Sequence, residues 1–313
     1  DLLYVLGLLN SDGYISKTCI SFINKDETLH SLYSSKIYES FGLKTKRYKD
    51  NSNIYNKTLF MLFKELESTL TILPDNLIIA WLKGFVDGDG WVALENKNLH
   101  RIGIATAKKE KAELVQFLLL RLSILSKIEK TKIPTAYGKI DGRIVKTLKP
   151  KHNVIIGGSE NLKKFSELIS FRQLARSHKL SNGLIRFNKY REDVVPIGNL
   201  LKRFREQNEI YQYKLGFSDV TIREIESGRS NIIRGNLQQI IQLQELDGDC
   251  YKKLKNLAHS DIFWDKIVDI KLEEHEEYVY DLTTDVGNFV ANNLVMHNCA
   301  IAYGGQLEHE GPI

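Results

Sequence analysis

Hydrophobic positions along this chain recur with two different periods, and the alternation between the periods occurs twice. Residues 4–15, "YVLGLLNSDGYI", are a helix-like apolar run that stops at Ser-Asp-Gly and resumes as a strand-like Tyr-Ile. Residues 80–92, "AWLKGFVDGDGWV", repeat that shape, with an acid and Gly before an aromatic and a branched residue. The two acids, Asp12 and Asp89, stand 77 residues apart. The stretches downstream of the two acids are also alike. After Asp12 come the strand-like "GYISKTCISFIN", the charged "KDE" and the amphipathic "TLHSLYSSKIYESFGL", whose apolar positions fall at helical spacing. After Asp89 come "GWVALENKNLHRIGIATA", the charged "KKEKAE" and the helical "LVQFLLLRLSIL". Further strand-like stretches close each half, and "ELESTLTILPDN" (65–76) is the junction. An internal repeat of this length predicts an α+β fold built as a pseudo-two-fold pair, with halves at 1–76 and 77–187.

Beyond the repeat the pattern changes twice. Residues 191–258 are helical, and "YKLGFSDVTIREIESGRSN" (213–231) carries a turn at Gly216, an N-cap at Ser218 and a short helix stopped at Gly228. Residues 262–298 are rich in Val, Ile and Tyr, with turn signals at "TDVGN" and "NN", and predict a small β unit. The last fifteen residues, 299–313, share no pattern with it.

Composition adds bounds. A chain of 313 residues, 42% hydrophobic and 27% charged, has room for two or three ordinary globular domains. No uncharged apolar stretch of about 18 residues occurs, so no transmembrane helix and no membrane partner are expected. The chain opens at Asp1 without the basic segment of a secretory leader, and a processed or incomplete product is expected. Three distant cysteines, Cys19, Cys250 and Cys299, form no disulfide framework, which favours a cytoplasmic location. Net charge is +5 and unevenly spread: residues 101–152 hold 13 Lys and Arg against 4 Asp and Glu. That segment, with Arg143 and Lys146 as candidate contacts, suits a polyanion surface, and a solvated sheet face accounts for it equally well.

Chemistry enters with the repeated acid. Gly7 and Gly84, with Ser11 and Gly88 four residues on, line one face of each predicted helix with small residues that permit a close crossing. A symmetric pair brings Asp12 and Asp89 together, where they repel unless a cation lies between them. Oxygen-only ligands suit Mg²⁺, and a metal pair stabilises attacking and leaving oxygens in phosphodiester cleavage. The rival explanation, that Asp-Gly only supplies a helix-to-strand turn, suits one motif better than two matched ones.

The segments "VLGLLNSDG" and "LKGFVDGDG" resemble the signature of the LAGLIDADG homing endonucleases in their monomeric, two-motif form, over roughly residues 1–185. The resemblance implies two αββαββα halves whose sheets lie in the major groove of double-stranded DNA. It makes Asp12 and Asp89 the ligands of divalent metal, Mg²⁺, at the cleavage site. Asn10 stands where the family often has an acid, which Asp87 retains in the second motif. The family also tends to place a lysine after a strand of each half, near the cleaved phosphates. The parallel contexts "FINKDETL" and "ATAKKEKAEL" nominate Lys25 and Lys108, with Lys109 an alternative.

"LLKRFREQNEIYQYKLGFSDVTIREIESGRSN" resembles a phage-repressor helix-turn-helix whose first helix is about one turn short. Ser218, Thr221 and Arg223 are then candidate base contacts, and Arg229 and Arg234 phosphate contacts; a helical spacer is the alternative. At the far end, "VYDLTTDVGNFVANNLVMHNC" resembles the C-terminal splicing blocks of an intein (a Hint segment). That resemblance implies cyclisation at Asn298, assisted by His297 and Asp281. Cys299 is then the nucleophile that opens the C-extein of a covalently attached host protein. Gly287 occupies a position where the family often has histidine, and no N-terminal splicing block precedes the first motif, so the chain is expected to be a truncated intein. The sequence favours a site-specific DNA endonuclease embedded in an intein. A cleavage-inactive DNA-binding relic and a purely self-processing element are the alternatives.

Overall fold

The uninterrupted apolar run at the start of the chain folds as a helix, α1 (Leu2–Asp12), whose residues from Leu3 to Asn10 are all buried. A helix apolar on every side is stable only with neighbours on every side, and the repeat supplies them. The computed structural model describes residues 1–95, 98–131, 138–140, 143–145, 150–184, 193–243, 248–265, 267, 269–271, 284–291 and 294–297. It falls into two units, Asp1–Trp264 and Asp265–Ile313.

After α1 the first half continues through β1 (Gly13–Ile15), β2 (Ile20–Ile23), α2 (Glu27–Phe41), β3 (Lys46–Tyr48), β4 (Asn51–Ile54) and α3 (Lys57–Thr69). The second half repeats that order with α4 (Asp75–Asp89), β5 (Gly90–Glu95), β6 (Asn98–Thr106), α5 (Lys109–Arg121), β7 (Lys127–Lys130), β10 (His152–Ile156) and α6 (Ser159–Leu168). A hairpin, β8 (Gly138–Ile140) and β9 (Arg143–Val145), is inserted between β7 and β10, and α7 (Leu174–Leu184) comes after α6. Two antiparallel four-stranded sheets result, ordered β1-β2-β4-β3 and β5-β6-β10-β7, so each strand has a counterpart at the same place in the other sheet. One core spans both halves, with Leu6, Leu9, Phe22, Tyr33, Trp81 and Phe85 among its residues.

Local signals account for the boundaries. Asp26 caps α2 by accepting from the Thr28 and Leu29 amides, and Gly42, at φ 65°, ends it by donating to the Tyr38 carbonyl. The junction lies at Pro74 rather than at 76/77. Leu73 is held extended at φ −67°, ψ 152° before the proline, and α4 begins at Asp75.

The chain from 193 to 264 has a core of its own, including Leu201, Phe204, Leu215, Ile222, Leu237, Ile240 and Leu254. Its elements are β11 (Val194–Val195), α8 (Leu200–Gln207), α9 (Asp219–Glu226), β12 (Ile232–Ile233), α10 (Arg234–Leu243) and α11 (Asp249–His259). Gly216 (φ 80°), the Ser218 cap on the Thr221 amide and Gly228 (φ 73°) stand where the sequence puts them. The element before α9 is only a 3-10 turn, Gln212–Leu215. Buried Glu226 holds that turn to α8, accepting from Gln212 Nε2 and from Arg205 Nε, each at 2.8 Å.

In the second unit, β13 (Asn288–Ala291) pairs antiparallel with β14 (Leu294–His297). The turn before β13 closes with the Gly287 amide donating to the Thr284 carbonyl at 3.1 Å, with Gly287 at φ 74°. That left-handed backbone favours glycine and accounts for Gly287 in place of a bulkier residue. No single helix among the described residues is long and apolar enough to cross a membrane.

A Cβ on Gly84 would lie 2.0 Å from the Tyr4 carbonyl oxygen, whereas Gly235 in α10 has nothing within 4 Å. Gly84→Ala should therefore destabilise by about 3 kcal/mol, the upper end for overpacking. Gly235→Ala should stabilise by about 0.5–1 kcal/mol by reducing unfolded-state freedom. Urea unfolding of the two variants measures both, and similar midpoints would contradict the packing.

Candidate functional site

Helices α1 and α4 cross in backbone contact. A Cβ on Gly7 would meet the Trp81 carbonyl oxygen at 2.1 Å and the Phe85 amide nitrogen at 2.8 Å. A Cβ on Gly84 would meet the Tyr4 carbonyl and the Leu8 amide at 2.0 and 2.8 Å. Each contact maps onto the other by the 77-residue repeat, so the crossing has local two-fold symmetry. One turn further on, a Cβ on Gly88 would sit 2.0 Å from Ser11 Oγ and 3.1 Å from Asp12 Oδ2. Both helices then run straight into strands. Gly13 and Gly90 would each place a Cβ 2.5 Å from the carbonyl of Leu9 or Val86, so the last glycine of each motif is a steric requirement of that exit.

Asp12 and Asp89 end the two helices, partly buried and close enough for their charges to interact. Burial and then the Asp12 charge push the Asp89 carboxyl up to about 7, opposed by Lys111, Lys151 and Arg176. Burial also raises Asp12, opposed by a hydrogen bond from Asn24 Nδ2 to its Oδ2 at 2.7 Å and by Arg176. A cation caps each helix at equivalent carbonyls: Lys111 Nζ donates to the Asn10 carbonyl and Arg176 Nη1 to the Asp87 carbonyl, both at 2.6 Å. Positive charge at a helix C-terminus is favourable, and here it also faces the carboxylates. Burial holds the Lys111 ammonium below its ordinary value, and Asp89 is among the groups acting against that.

The residue two before each acid has a different task. Tyr4 donates to Asp87 Oδ2 at 2.8 Å, and Trp81 Nε1 donates to Asn10 Oδ1 at 3.0 Å. Tyr4 and Trp81 are themselves repeat counterparts, so these are one interaction made twice across the crossing. Asp87 also accepts from the Arg172 amide at 2.8 Å, while the Asn10 amide donates to Glu67 Oε1 at 3.1 Å. Asn10 is thus the neutral member of a symmetric pair of buried acceptors, and an amide fits there because Glu67 supplies the nearby acid.

The structure brings Asp12 and Asp89 together, but it does not align Lys25 with Lys108. Asn24 Oδ1 accepts from the Asp26 amide at 2.8 Å, and Thr106 Oγ1 accepts from the Lys108 amide at 3.4 Å, so cap matches cap. Lys108 is the counterpart of Asp26, and the counterpart of Lys25 is Ala107. Both lysines are exposed, as is Lys109, which pairs with Glu113 at 2.9 Å. The lysine whose charge reaches Asp89 is Lys111, one helical turn beyond Lys108. The motifs carry no signal for it, nor for Asn24, Lys151 or Arg176, which come from other elements.

Among the downstream candidates, Thr221, Arg223 and Arg229 are exposed, and Ser218 Oγ is occupied by the Thr221 amide at 3.2 Å. Arg234 does not face solvent as a phosphate contact requires. Its guanidinium holds Asp193 Oδ2 at 2.8 Å and the Leu257 and Ile262 carbonyls at 2.6 Å each. Arg143 lies in β9 and His297 in β14, while Lys146, Asp281, Asn298 and Cys299 lie outside the described residues.

Residues 76–170 match the family of LAGLIDADG-like domains, so the chain is an α+β protein carrying such a domain. Curated relatives include the glutamine–fructose-6-phosphate aminotransferase of Methanocaldococcus jannaschii, 25% identical over 98% of this chain and 28% of its own length. A translation initiation factor IF-2 of Thermococcus kodakarensis is 26% identical over 74% of this chain and 23% of its own. The replicative DNA helicase DnaB of Rhodothermus marinus is 28% identical over 75% and 24%. The chain thus spans less than a third of the length of these relatives. Similar solved structures include the homing endonuclease I-DmoI in complex with DNA and Ca, at TM-score 0.43 and 16% identity, over 57% of this chain and 96% of that one. Another is full-length WhiA from Thermatoga maritima, at TM-score 0.40 and 14% identity, over 85% and 92%. At these TM-scores neither likeness adds to the geometry.

The site gives two expected outcomes. Asn10→Asp should cost about 1–2 kcal/mol at neutral pH, because the new carboxylate faces Glu67 without the amide donor, and less in acid, where either group protonates. A cost independent of pH would contradict that account. For Asp89, the folded chain between about pH 4 and 7 holds a proton that the unfolded chain has released, given the rise from 3.8 to about 7. Stability in EDTA should therefore fall as pH rises through that window, and Asp89→Asn should remove most of the fall. Urea midpoints across pH check the slope, and an unchanged slope in the variant would contradict it.

Proposed function

We propose that this chain is an intein-borne, site-specific DNA endonuclease that cuts both strands of its target with divalent metal, and that residues 262–299 are splicing machinery. The observation that carries the nuclease reading is the meeting of Asp12 and Asp89 at the ends of two helices in backbone contact. Two mutually repelling, half-buried carboxylates are a destabilising arrangement that a cation relieves. Among the described residues no group of three or more His, Cys, Asp or Glu could hold a metal. Two carboxylates fit Mg²⁺, which takes few protein oxygens and leaves positions for waters and substrate phosphates. Bound there, the metal supplies charge stabilisation for the attacking and leaving oxygens of a phosphodiester. The chain's own groups do the rest. Asp12 and Asp89 hold the cation, Asn24 fixes the rotamer of Asp12, and Lys111 and Arg176 place positive charge beside the acids. The basic stretch from Arg101 to His152 binds DNA phosphate without reading bases, as salt-dependent contacts do. Exposed Thr221, Arg223 and Arg229 extend the DNA contact beyond the paired halves, if α9 enters a groove.

Support for the intein reading comes from the relatives. An aminotransferase, a translation initiation factor and a helicase share no activity, yet each matches this chain over 28% or less of its own length. A segment common to proteins of unrelated chemistry is more readily an inserted element than a working domain of each. The His297-Asn298-Cys299 triplet then marks its downstream junction, with Asn298 cyclising, His297 supplying the proton and Cys299 belonging to the host. The relic alternative had Asn10 as its support, and Asn10 has a structural task instead.

Incubation with a randomised plasmid library, with Mg²⁺ or EDTA, tests the nuclease. Linearised molecules sharing one site should appear with Mg²⁺ only. Asp12→Asn and Asp89→Asn should each lower cleavage by about a hundredfold or more while DNA affinity is kept. Tight binding at one site with no cutting in any metal would contradict the proposal. For the junction, mass spectrometry should detect slow release of residues 299–313, abolished by Asn298→Ala; release that persists in that variant would contradict the assignment.

A further inference from the structure

His30, on α2, is 3% exposed and is asked for two incompatible hydrogen bonds. Its Nε2 lies 2.8 Å from the carbonyl oxygen of Asn24 and 2.6 Å from Nη1 of Arg47. A carbonyl oxygen only accepts, so the first contact requires a proton on Nε2. A guanidinium N–H only donates, so the second requires the Nε2 lone pair. One ring nitrogen offers one or the other. Its Nδ1 is 2.8 Å from the hydroxyl of fully buried Ser52, which donates to a bare Nδ1 or accepts from Nδ1–H by rotating. The cluster therefore has two self-consistent states. In one, Nδ1 carries the proton and Arg47 donates to Nε2. In the other, Nε2 carries the proton and donates to Asn24.

The two rival partners of Nε2 lead to different places. Asn24 leads inward: its amide donates to Asp12 Oδ2 at 2.7 Å, and its Oδ1 accepts from the Asp26 amide at 2.8 Å. Arg47 leads outward. It lies on β3, the edge strand of the first sheet, where all three residues are exposed, and its Nη2 pairs with exposed Glu27 at 2.6 Å. An exposed ion pair of this kind is weak and easily exchanged for another anion. Arg47 is thus the partner free to leave, whereas the Asn24 carbonyl is fixed in the backbone.

We propose that His30 is a positioning residue that couples Arg47 to Asp12. When Arg47 leaves Nε2 for a backbone phosphate of bound nucleic acid, the ring proton passes from Nδ1 to Nε2 by exchange with water. Nε2–H then donates to the Asn24 carbonyl, which fixes the peptide whose side chain holds Asp12. No covalent bond to carbon changes. This rests on the DNA reading above only for the identity of the anion, since the competition at Nε2 is internal to the chain.

The test is the tautomer of His30 in the full chain, read from the ¹⁵N shifts and two-bond couplings of the imidazole nitrogens, with H30Q identifying its signals. The free protein should show Nδ1 protonated. Arg47→Ala, with no DNA present, should move the proton to Nε2, and Arg47→Lys, which keeps a donor, should leave it on Nδ1. Adding a mixed-sequence DNA duplex in EDTA to the wild-type chain should produce the Arg47→Ala pattern. The same protonated nitrogen in wild type and Arg47→Ala would overturn the relay itself. A shift in Arg47→Ala without one on adding DNA would overturn the coupling to nucleic acid while leaving cleavage to be judged by the plasmid assay.

Discussion

The backbone contact between α1 and α4 at Gly7 and Gly84 is the constraint on which the rest of the first unit depends. Side chains at either position would overlap a carbonyl at about 2 Å, so the crossing exists only with glycine there. Close approach removes both helices from water along their length, which is why α1 is apolar on all faces and why one core serves both halves. It also sets the distance between the two acids. In a looser crossing Asp12 and Asp89 would each be an ordinary surface carboxylate at a helix end.

Bringing like charges together at the ends of two helices is unfavourable twice over, since a helix C-terminus already carries partial negative charge. The chain answers with cations drawn from different elements: Lys111 from α5 on the Asn10 carbonyl, and Arg176 from α7 on the Asp87 carbonyl. These carbonyls are symmetry counterparts, whereas the cations are not. The backbone repeat is therefore nearly two-fold while its electrostatic surroundings differ, with Asp89 pushed up to about 7. The asymmetry extends to the buried acceptors, Asn10 facing Trp81 and Asp87 facing Tyr4.

Much of this was legible in the sequence because it is periodic. A 77-residue spacing between matched helix-to-strand transitions implies the paired halves, and small residues one turn apart imply the crossing. Asp12 and Asp89 emerge from those two facts alone. What stayed hidden is what three-dimensional proximity creates without periodicity. Lys111 sits in a charged run, "KKEKAE", where three lysines look interchangeable, and only the register of the α5 cap sends one to the Asn10 carbonyl. Arg234 reads as a surface cation beside a helix but is a buried tie between Asp193 and two carbonyls. Asn10 reads as a lost acid because its partners, Trp81 and Glu67, are 71 and 57 residues away. The inserted β8–β9 hairpin was indistinguishable from neighbouring strands of the same composition.

The central claim is that Asp12 and Asp89 share one metal site. Iron(II) substituted for Mg²⁺, with peroxide, cuts polypeptide next to where the metal sits, and mass spectrometry locates the cuts without any reference to DNA cleavage. The account predicts cuts at the ends of both α1 and α4, near residues 12 and 89, competed by Mg²⁺ and lost at both places in either Asp12→Asn or Asp89→Asn. Cuts confined to one helix end, or persisting at one acid after loss of the other, would contradict it.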